Sequence, residues 1–258
     1  MTSILQPKDT DAPSVFQPSA LLREARRQKR LPAVDLPRVC VLDPDGDIVR
    51  RLVSSGRATP FEGWACYHTN LHTFTLANKT VGIVGNAVGA PFAVLVAEQL
   101  FASGCRFLVS ITSAGQIVPA GQPPYFVIIN RALRDEGTSH HYLPASEYSQ
   151  ADAVLVEQAR SALAAIDAHI VVGSSWTTDA PFRETAEAIA AARDKGALAV
   201  EMESAALYAF ATATGSKVLC LAHVTNTMAQ AGDDFEKGEA DGTVTALQVL
   251  ETIVSARS

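Results

Sequence analysis

The chain has 258 residues, with 27 acidic and 21 basic side chains and a formal net charge of −6 at pH 7. Hydrophobic residues make up 48% of the sequence and charged residues 19%, which is enough apolar material for one sizeable core and excludes a disordered chain. The acidic balance argues against nucleic acid as a partner. The lack of an apolar run of about 18 residues argues against a membrane span or a membrane partner.

The start of the chain differs in character from the rest. Residues 1–36 are polar and interrupted by prolines, and we interpret them as an N-terminal extension with one basic helix at 20–29. Residues 37–258 are expected to form a single domain. The first residues lack the basic segment and apolar core of a signal peptide, and the four cysteines are widely spaced. These features predict a cytoplasmic protein with reduced cysteines.

Strand signals alternate with helix signals from residue 38 onward. Strands are expected at 38–42, 72–76, 80–84, 106–111, 125–130, 170–173 and 217–224. Helices are expected at 91–103, 151–168, 180–195, 203–214 and 241–256. This alternation predicts an α/β fold in which a mixed central β-sheet is flanked by helices on both faces.

Polar loops follow several of these strands, and ligands of such sheets bind beyond the carboxyl ends of strands. The loops are 85–90, 112–115, 134–142, 177–183 and 225–226. Thr112 and Ser113 bring two hydroxyls to a strand end, which suits an anion or a sugar hydroxyl. A tight turn capped by Ser and Thr is the alternative.

Other motifs give little support to a cofactor or a metal. Segment 82–89 is rich in glycine but does not follow G-x-G-x-x-G, so a dinucleotide site is poorly supported. His68 and His72 are four residues apart, a spacing that suits zinc only on a helix, whereas their surroundings favour a strand. We therefore predict no metal site. His223, on an apolar strand, is interpreted as a core histidine.

The most informative stretch is Ala199–Leu207, where two carboxylates flank Met202 at the entry to a helix. The helix dipole accounts for one acid, Glu203. It does not account for the second, Glu201, inside an apolar run, because a buried charge is costly without partners. A carboxylate can accept two hydrogen bonds from the vicinal diol of a ribose, and methionine offers an adaptable apolar surface to the sugar.

Residues 200–208, V-E-M-E-S-A-A-L-Y, resemble the signature of the type I nucleoside phosphorylase family, which includes purine nucleoside phosphorylase, uridine phosphorylase and methylthioadenosine nucleosidase. Five segments in the same order extend the resemblance over about residues 38–255: 87–91, 110–115, 134–142, 177–183 and 224–226. The resemblance implies a mixed sheet flanked by helices, a homo-oligomer of dimers within a hexamer, and a catalytic domain at 37–258. It also implies cleavage of the N-glycosidic bond of a nucleoside, by phosphate in phosphorylases and by water in nucleosidases.

The resemblance assigns roles to individual residues. Glu203 would hold the ribose 2′ and 3′ hydroxyls, Ser113 would face the phosphate or nucleophile, and Asn226 falls where many members place an aspartate that protonates a purine. These three are the predicted catalytic residues. The predicted substrate-binding residues are Met202, Glu201, Phe182, Arg183, Thr112, Gly89, Ala114 and Gly115.

Three departures from the family pattern bear on the reaction. Ile48 and Ser110 stand at two positions where family members carry a phosphate-binding arginine, and neither can replace a guanidinium group. Arg50, Arg51 or a neighbouring subunit could compensate. Asn226 can donate to a carbonyl but cannot deliver a proton, which favours a 6-oxopurine or a uridine-type base.

The leading hypothesis is therefore a nucleoside phosphorylase-like pentosyltransferase that forms ribose 1-phosphate. The alternatives are a phosphate-independent nucleosidase of the same fold and a catalytically silent nucleoside-binding homologue. No cofactor is expected beyond inorganic phosphate as a co-substrate. The expected partners are a small-molecule nucleoside, phosphate and further copies of the chain in a dimer or hexamer.

Overall fold

A computed structural model of the chain describes residues 8–228 and 235–257. Within these residues, ten strands and seven α-helices follow one another along the chain. The strands are β1 Val39–Asp43, β2 Ala58–Pro60, β3 Leu71–Leu76, β4 Lys79–Gly85, β5 Phe107–Gln116, β6 Tyr125–Asp135, β7 Tyr148–Gln150, β8 Ile170–Thr178, β9 Ala197–Glu201 and β10 Val218–Asn226. The helices are α1 Pro18–Lys29, α2 Asp47–Ser54, α3 Ala90–Ala102, α4 Ala153–Leu163, α5 Ala186–Asp194, α6 Ser204–Thr214 and α7 Thr243–Ser255.

The strands form one mixed sheet, which confirms the predicted fold class. Strand β5 lies parallel to both β1 and β10 and makes a short antiparallel pairing with β9. The pairings of β10 with β6, β6 with β8 and β8 with β9 then close these strands into a ring of five. Strands β4, β3 and β2 continue the sheet outward from β1. The ring brings the end of β9 next to the end of β5, a juxtaposition that local sequence patterns do not reveal.

Local chemistry explains where several elements begin and end. The β3–β4 hairpin turns at Ala77 and Asn78, which have φ values of 51° and 57°, as a tight turn between twisted strands requires. The helix predicted at 180–195 begins only at Ala186, because a 3₁₀ turn occupies Pro181–Arg183 and the Thr185 hydroxyl accepts from the Ala188 amide to cap the helix. The segment after β1 leads directly into α2, a helix that the sequence patterns did not predict.

Helices cover both faces of the sheet. One apolar core lies against α3 and α6, and a second lies against α2, α4 and α7. Helix α1, from the predicted extension, buries Leu22 and Ala25 against Ala65. The first seven residues of that extension lie outside the described part of the chain. No helix within residues 8–228 and 235–257 is long and apolar enough to cross a membrane.

Tyr208 ties α6 to the sheet. Its buried hydroxyl donates to the carbonyl of Ile129 at 2.6 Å and accepts from the amide of Cys220 at 3.0 Å. The Ile129 carbonyl lies where the register of β6 on β8 shifts, between Ile129 and Arg131. One side chain thus satisfies two backbone groups at an irregularity of the sheet, and it anchors the helix that begins at the candidate site.

Replacing Tyr208 with phenylalanine tests this anchor. The variant keeps the ring but leaves one buried carbonyl and one buried amide without the hydroxyl, so we expect a loss of about 1–3 kcal/mol in the free energy of unfolding. Chemical denaturation monitored by circular dichroism measures it. An unchanged denaturation midpoint would show that the hydroxyl contributes nothing to stability.

Candidate functional site

The polar loops predicted to bind a ligand meet at one edge of the sheet. Strands β1, β4, β5 and β10 are mutually parallel through their pairings, so their carboxyl ends share that edge. The end of β9 and the start of α6 join it through the closed ring. Of the predicted residues, Glu203, Gly89, Ser113, Thr112 and Asn226 all lie there.

Glu203 is a buried side chain at this edge that has a hydrogen-bond partner for only one of its two carboxylate oxygens. Its side chain is buried, with a residue exposure of 1%, and its Oε1 accepts a hydrogen bond from the Gly89 amide at 2.7 Å. Its Oε2 is buried and has no hydrogen-bond partner in the described part of the chain. Buried polar atoms in folded proteins normally have a partner, so an orphaned carboxylate oxygen calls for one. A ribose hydroxyl placed at Oε2 would supply it.

Burial also changes the proton affinity of this group. Loss of solvent, followed by the nearby negative charge of Glu201, raises the pKa of Glu203 from 4.5 to about 8. The Gly89 amide and the Thr112 hydroxyl oppose the shift. Gly89 makes its contact with a φ of 91°, a left-handed conformation that favours glycine.

Glu201 has a different environment from Glu203. Its Oε1 accepts from the hydroxyls of Ser175 and Thr177 at 2.9 and 2.5 Å, and its Oε2 accepts from the amides of Glu203 and Ser204 at 2.8 and 2.7 Å. Four donors within the chain therefore satisfy this carboxylate at the start of α6. Glu201, predicted to bind substrate, is placed to fix the backbone that carries Glu203.

Ser113 has a partner that the sequence did not suggest. The carboxylate of Asp45 accepts from the Ser113 amide at 2.7 Å and from the Ser113 hydroxyl at 2.9 Å. These are the donors that the resemblance assigned to a phosphate or nucleophile. A carboxylate of the chain itself thus occupies them.

Two more carboxylates lie beside Asp45, and sequence reasoning missed all three. Asp43 is buried at the end of β1, where it accepts from the Val49 amide at 2.9 Å; burial, the main cause, raises its pKa to about 7. Asp47 begins α2. The three line a cavity of about 20 Å³ together with Thr112 and Ser113. A volume of roughly this size holds one water molecule. The sequence signal that could have found them is the run D-P-D-G-D at residues 43–47, directly after the predicted strand 38–42.

Among the described residues, no other cation replaces the two phosphate-binding arginines of the family. Ile48 packs into the apolar core between the sheet and α2, and Ser110 is buried. Arg50 pairs with Asp47, and so does Lys237, at 2.5 Å. Arg51 is exposed on α2. No guanidinium group of residues 8–228 or 235–257 therefore contacts Ser113.

The part of the site predicted to contact the nucleoside base, here called the base end, contains Asn226. The Asn226 Oδ1 accepts from the Met228 amide at 2.9 Å, and its Nδ2 donates to the Thr225 hydroxyl at 3.2 Å. Gly115 lies beside this pair: a Cβ there would meet the Met228 Sδ at 2.3 Å, so a larger residue would require the Met228 side chain to move.

The remaining predicted residues differ in exposure. Met202 is half-buried between the two glutamates, and Ala114 is buried in the core. Phe182 is 98% exposed, and Arg183 beside it is exposed as well. The structure therefore does not bring Phe182 and Arg183 into a closed pocket with the other residues. Outside residues 229–234 and the chain ends, no group of three or more His, Cys, Asp or Glu side chains has the arrangement of a metal site.

Comparisons with known proteins point to one family. The sequence model of the phosphorylase superfamily matches residues 38–255. Purine nucleoside phosphorylases of the DeoD type from Bacillus cytotoxicus and Bacillus cereus are 28% identical over 156 residues, which cover 60% of this chain and 66% of theirs, just under two thirds. Uridine phosphorylase from Vibrio fischeri ES114, crystallised with 6-hydroxy-1-naphthoic acid, superposes with a TM-score of 0.67 at 18% identity, covering 89% of this chain and 91% of that one. Another crystal structure of that protein gives 0.63 at 17% identity, with coverages of 89% and 88%.

The Glu203→Gln variant tests whether the carboxylate is functional. The amide keeps the volume but has only one acceptor oxygen, which cannot serve both the Gly89 amide and the ribose hydroxyls, so we expect turnover of a nucleoside to fall by about a hundredfold or more. Thermal unfolding is the control. Because the raised pKa of Glu203 makes its ionisation costly to the fold as pH rises from 4.5 towards 8, the variant should be no less stable than the wild type at pH 9. Wild-type turnover by the variant would contradict the assignment.

The raised pKa of Glu203 also predicts a pH dependence. In the free protein, the group is protonated below a pH of about 8, and the protonated form cannot accept from both ribose hydroxyls. We expect kcat/KM to rise with pH up to about 8 and then to level off. Initial rates across the pH range measure this. A profile that is flat between pH 6 and pH 9 would contradict the assignment, since both limits lie about one to two pH units from the shifted pKa.

Proposed function

Because the chain belongs to the phosphorylase superfamily, we propose that it cleaves the N-glycosidic bond of a ribonucleoside, with water as the attacking group. The observation that carries this proposal is the double hydrogen bond from Ser113 to the Asp45 carboxylate. A phosphate bound at Ser113 would have to displace that carboxylate. This geometry therefore supports hydrolysis, in which water attacks the sugar, better than phosphorolysis. The absence of arginine at positions 48 and 110 favours the same reaction.

Electrostatics supports the same choice. A phosphate at Ser113 would sit beside Asp43, Asp45 and Asp47, and like charges a few ångströms apart repel strongly in a partly buried site. Family members offset such charge with arginine, which binds phosphate through paired hydrogen bonds. Here the two nearby cations, Arg50 and Lys237, are both paired with Asp47. A neutral water molecule meets none of this repulsion.

The residues fit the steps of such a hydrolysis. Glu203 accepts the ribose 2′ and 3′ hydroxyls at its free oxygen, with Met202 against the sugar. As the glycosidic bond lengthens, positive charge develops at the anomeric carbon, and the surrounding carboxylates stabilise it. Asp45 accepts a proton from the attacking water. Ser113 holds the Asp45 carboxylate in place with two hydrogen bonds. Asn226 donates to a carbonyl of the departing base, which suits a 6-oxopurine or a uridine-type base. The base leaves with the electron pair of the glycosidic bond and takes up one proton from solvent, while Asp45 passes the proton of the attacking water to solvent.

The expectations about cofactors and about the oligomeric state remain predictions under this proposal. The proposed hydrolysis uses only a nucleoside and water, and it requires no cofactor. Assembly into a homo-oligomer, as the family resemblance implies, would add residues of a second copy to the exposed base end around Phe182.

Base release in phosphate-free buffer is the direct test. We expect inosine or uridine to yield free base and ribose at the same rate with and without added phosphate, because nothing in the proposed mechanism uses phosphate. Chromatography of the products distinguishes ribose from ribose 1-phosphate. A rate that rises with phosphate, with ribose 1-phosphate as the product, would contradict attack by water and support phosphorolysis.

The same assay decides between an enzyme and a silent homologue. Thermal stabilisation by nucleosides without base release across a broad panel would support a binding protein and contradict both enzymatic proposals. Glu203→Gln serves as the matched control for contaminating activity, since any release that survives in this variant does not depend on the proposed site.

A further inference from the structure

His223 lies next to Ser113 in the sheet. The two residues are paired in the register of β10 on β5. Side chains of a strand alternate between the two faces of its sheet, and the core positions of Leu219 and Leu221 place His223 on the face covered by α2, α4 and α7. Ile111 places Ser113 on the same face. The His223 and Ser113 side chains are therefore neighbours.

The surroundings of His223 hold its ring in one orientation. The ring stacks on Phe126, with the ring centroids 4.4 Å apart and an angle of 8° between the planes. On another side, a Cβ added to Gly242 would lie 2.3 Å from the His223 Cε1 and 2.5 Å from the carbonyl oxygen of Lys237. The ring is thus packed between β6 and the start of α7, and the residue is 8% exposed.

His223 also lines the polar cavity of about 20 Å³ that contains Asp45 and Ser113. A water molecule in a cavity of this size needs two to four polar partners, and the Asp45 carboxylate and the His223 ring are two of them. Lys237, whose side chain is 33% exposed, and the exposed Asp241 line the same cavity. The cavity therefore lies between Asp45 and solvent, with His223 in its wall.

The proton affinity of His223 suits a transient proton acceptor. Burial, with a smaller effect of Lys237, lowers the pKa of His223 to about 4, and Asp47 opposes this shift. The ring is therefore neutral near pH 7, and one of its nitrogens can accept a proton. Because a pKa near 4 is close to that of a free aspartic acid, a proton passes between such a ring and a carboxyl group at little cost. The resulting imidazolium gives its proton up readily to solvent.

We propose that His223 relays the proton of the attacking water from Asp45 to solvent, through one water molecule in this cavity. The inference rests on the proposed hydrolysis, in which Asp45 accepts that proton. The protonated Asp45 donates to the cavity water, which donates one of its own protons to a ring nitrogen of His223. The imidazolium then loses this proton to solvent, and both side chains return to their starting states. Only a proton is carried, so the products of the hydrolysis are unchanged.

The relay gives the proton a way out while the substrate is bound. Asp45 is half-buried, and its carboxylate is held against Ser113. A nucleoside bound at Glu203 covers the side of Asp45 from which the water attacks. The proton then leaves on the side of the cavity, where His223 lies.

The His223→Phe variant tests the relay. Phenylalanine keeps a ring stacked on Phe126 but removes both nitrogens, so we expect kcat for base release in phosphate-free buffer to fall by about tenfold or more. KM should stay within about twofold, because no contact to the substrate is lost. His72→Phe is the matched control, since this histidine lies on β3 and not among the residues that line the cavity. An unchanged kcat in His223→Phe, or an equal loss in both variants, would contradict the proposal.

The His223→Gln variant separates proton transfer from hydrogen bonding. A glutamine amide can hold the cavity water but does not accept a proton near neutral pH. We expect its kcat to be as low as that of His223→Phe. A kcat restored to the wild-type value would show that His223 only holds the water molecule, and it would overturn the relay.

Chemical rescue of His223→Ala gives a readout that a purely structural role would not produce. Added imidazole can fill the space left by the ring, and we expect it to raise kcat by about threefold or more. Pyrazole, a ring of the same shape but a much weaker base, should leave kcat unchanged. Since both measurements use one protein sample, a loss of folded protein does not affect their ratio. Equal effects of the two rings, including none, would contradict the proposal.

The wild-type rate separates this inference from the proposed function. No base release by the wild-type protein would refute the proposed hydrolysis, and the relay with it. Base release at a rate that none of the three His223 variants changes would leave the hydrolysis standing and refute the relay alone.

Discussion

One buried carboxylate with a single unpartnered oxygen is the feature on which the rest of this site depends. Glu203 has lost its contact with solvent and receives one amide hydrogen bond, from Gly89, while its Oε2 has no hydrogen-bond partner among residues 8–228 and 235–257. A fold retains such a group when something outside the chain completes it. The surrounding structure holds the group in place. Glu201 accepts two hydrogen bonds from amides at the start of α6 and two from hydroxyls of β8, and Tyr208 anchors the same helix to the sheet about one turn later.

The nucleophile end shows how a family scaffold can change its chemistry through a few side chains. The loop after β1 reaches Ser113 and presents the carboxylate of Asp45 to it. Positions where the family carries arginine hold a core isoleucine and a buried serine. On the proposed function, these changes weaken the binding of an anion at Ser113, and Glu203 remains the proposed ribose ligand. The substitutions act together, because an arginine beside Asp45 would simply form an ion pair with it.

Much of this arrangement was accessible from the sequence, for identifiable reasons. The β3–β4 hairpin and the strand β10 follow from short-range patterns, and Glu203 stood out because two acids interrupt an apolar run. The closure of five strands into a ring was not predictable, because it depends on the pairing of β5 with two strands far away in the chain. The contact between Asp45 and Ser113 joins residues 68 positions apart. The start of α2 was missed because D-P-D-G-D is as typical of a turn as of a helix start.

The exposed base end contrasts with the tightly bonded sugar end. Phe182 lies in solvent, whereas Glu201 and Glu203 are nearly inaccessible, so this single chain defines the sugar position better than the base position. A crystal structure with a bound nucleoside tests the central claim most directly. The account predicts that the ribose 2′ or 3′ hydroxyl lies within hydrogen-bond distance, about 3 Å, of the Glu203 Oε2. A bound nucleoside whose sugar lies elsewhere, with Oε2 still unpartnered, would contradict it.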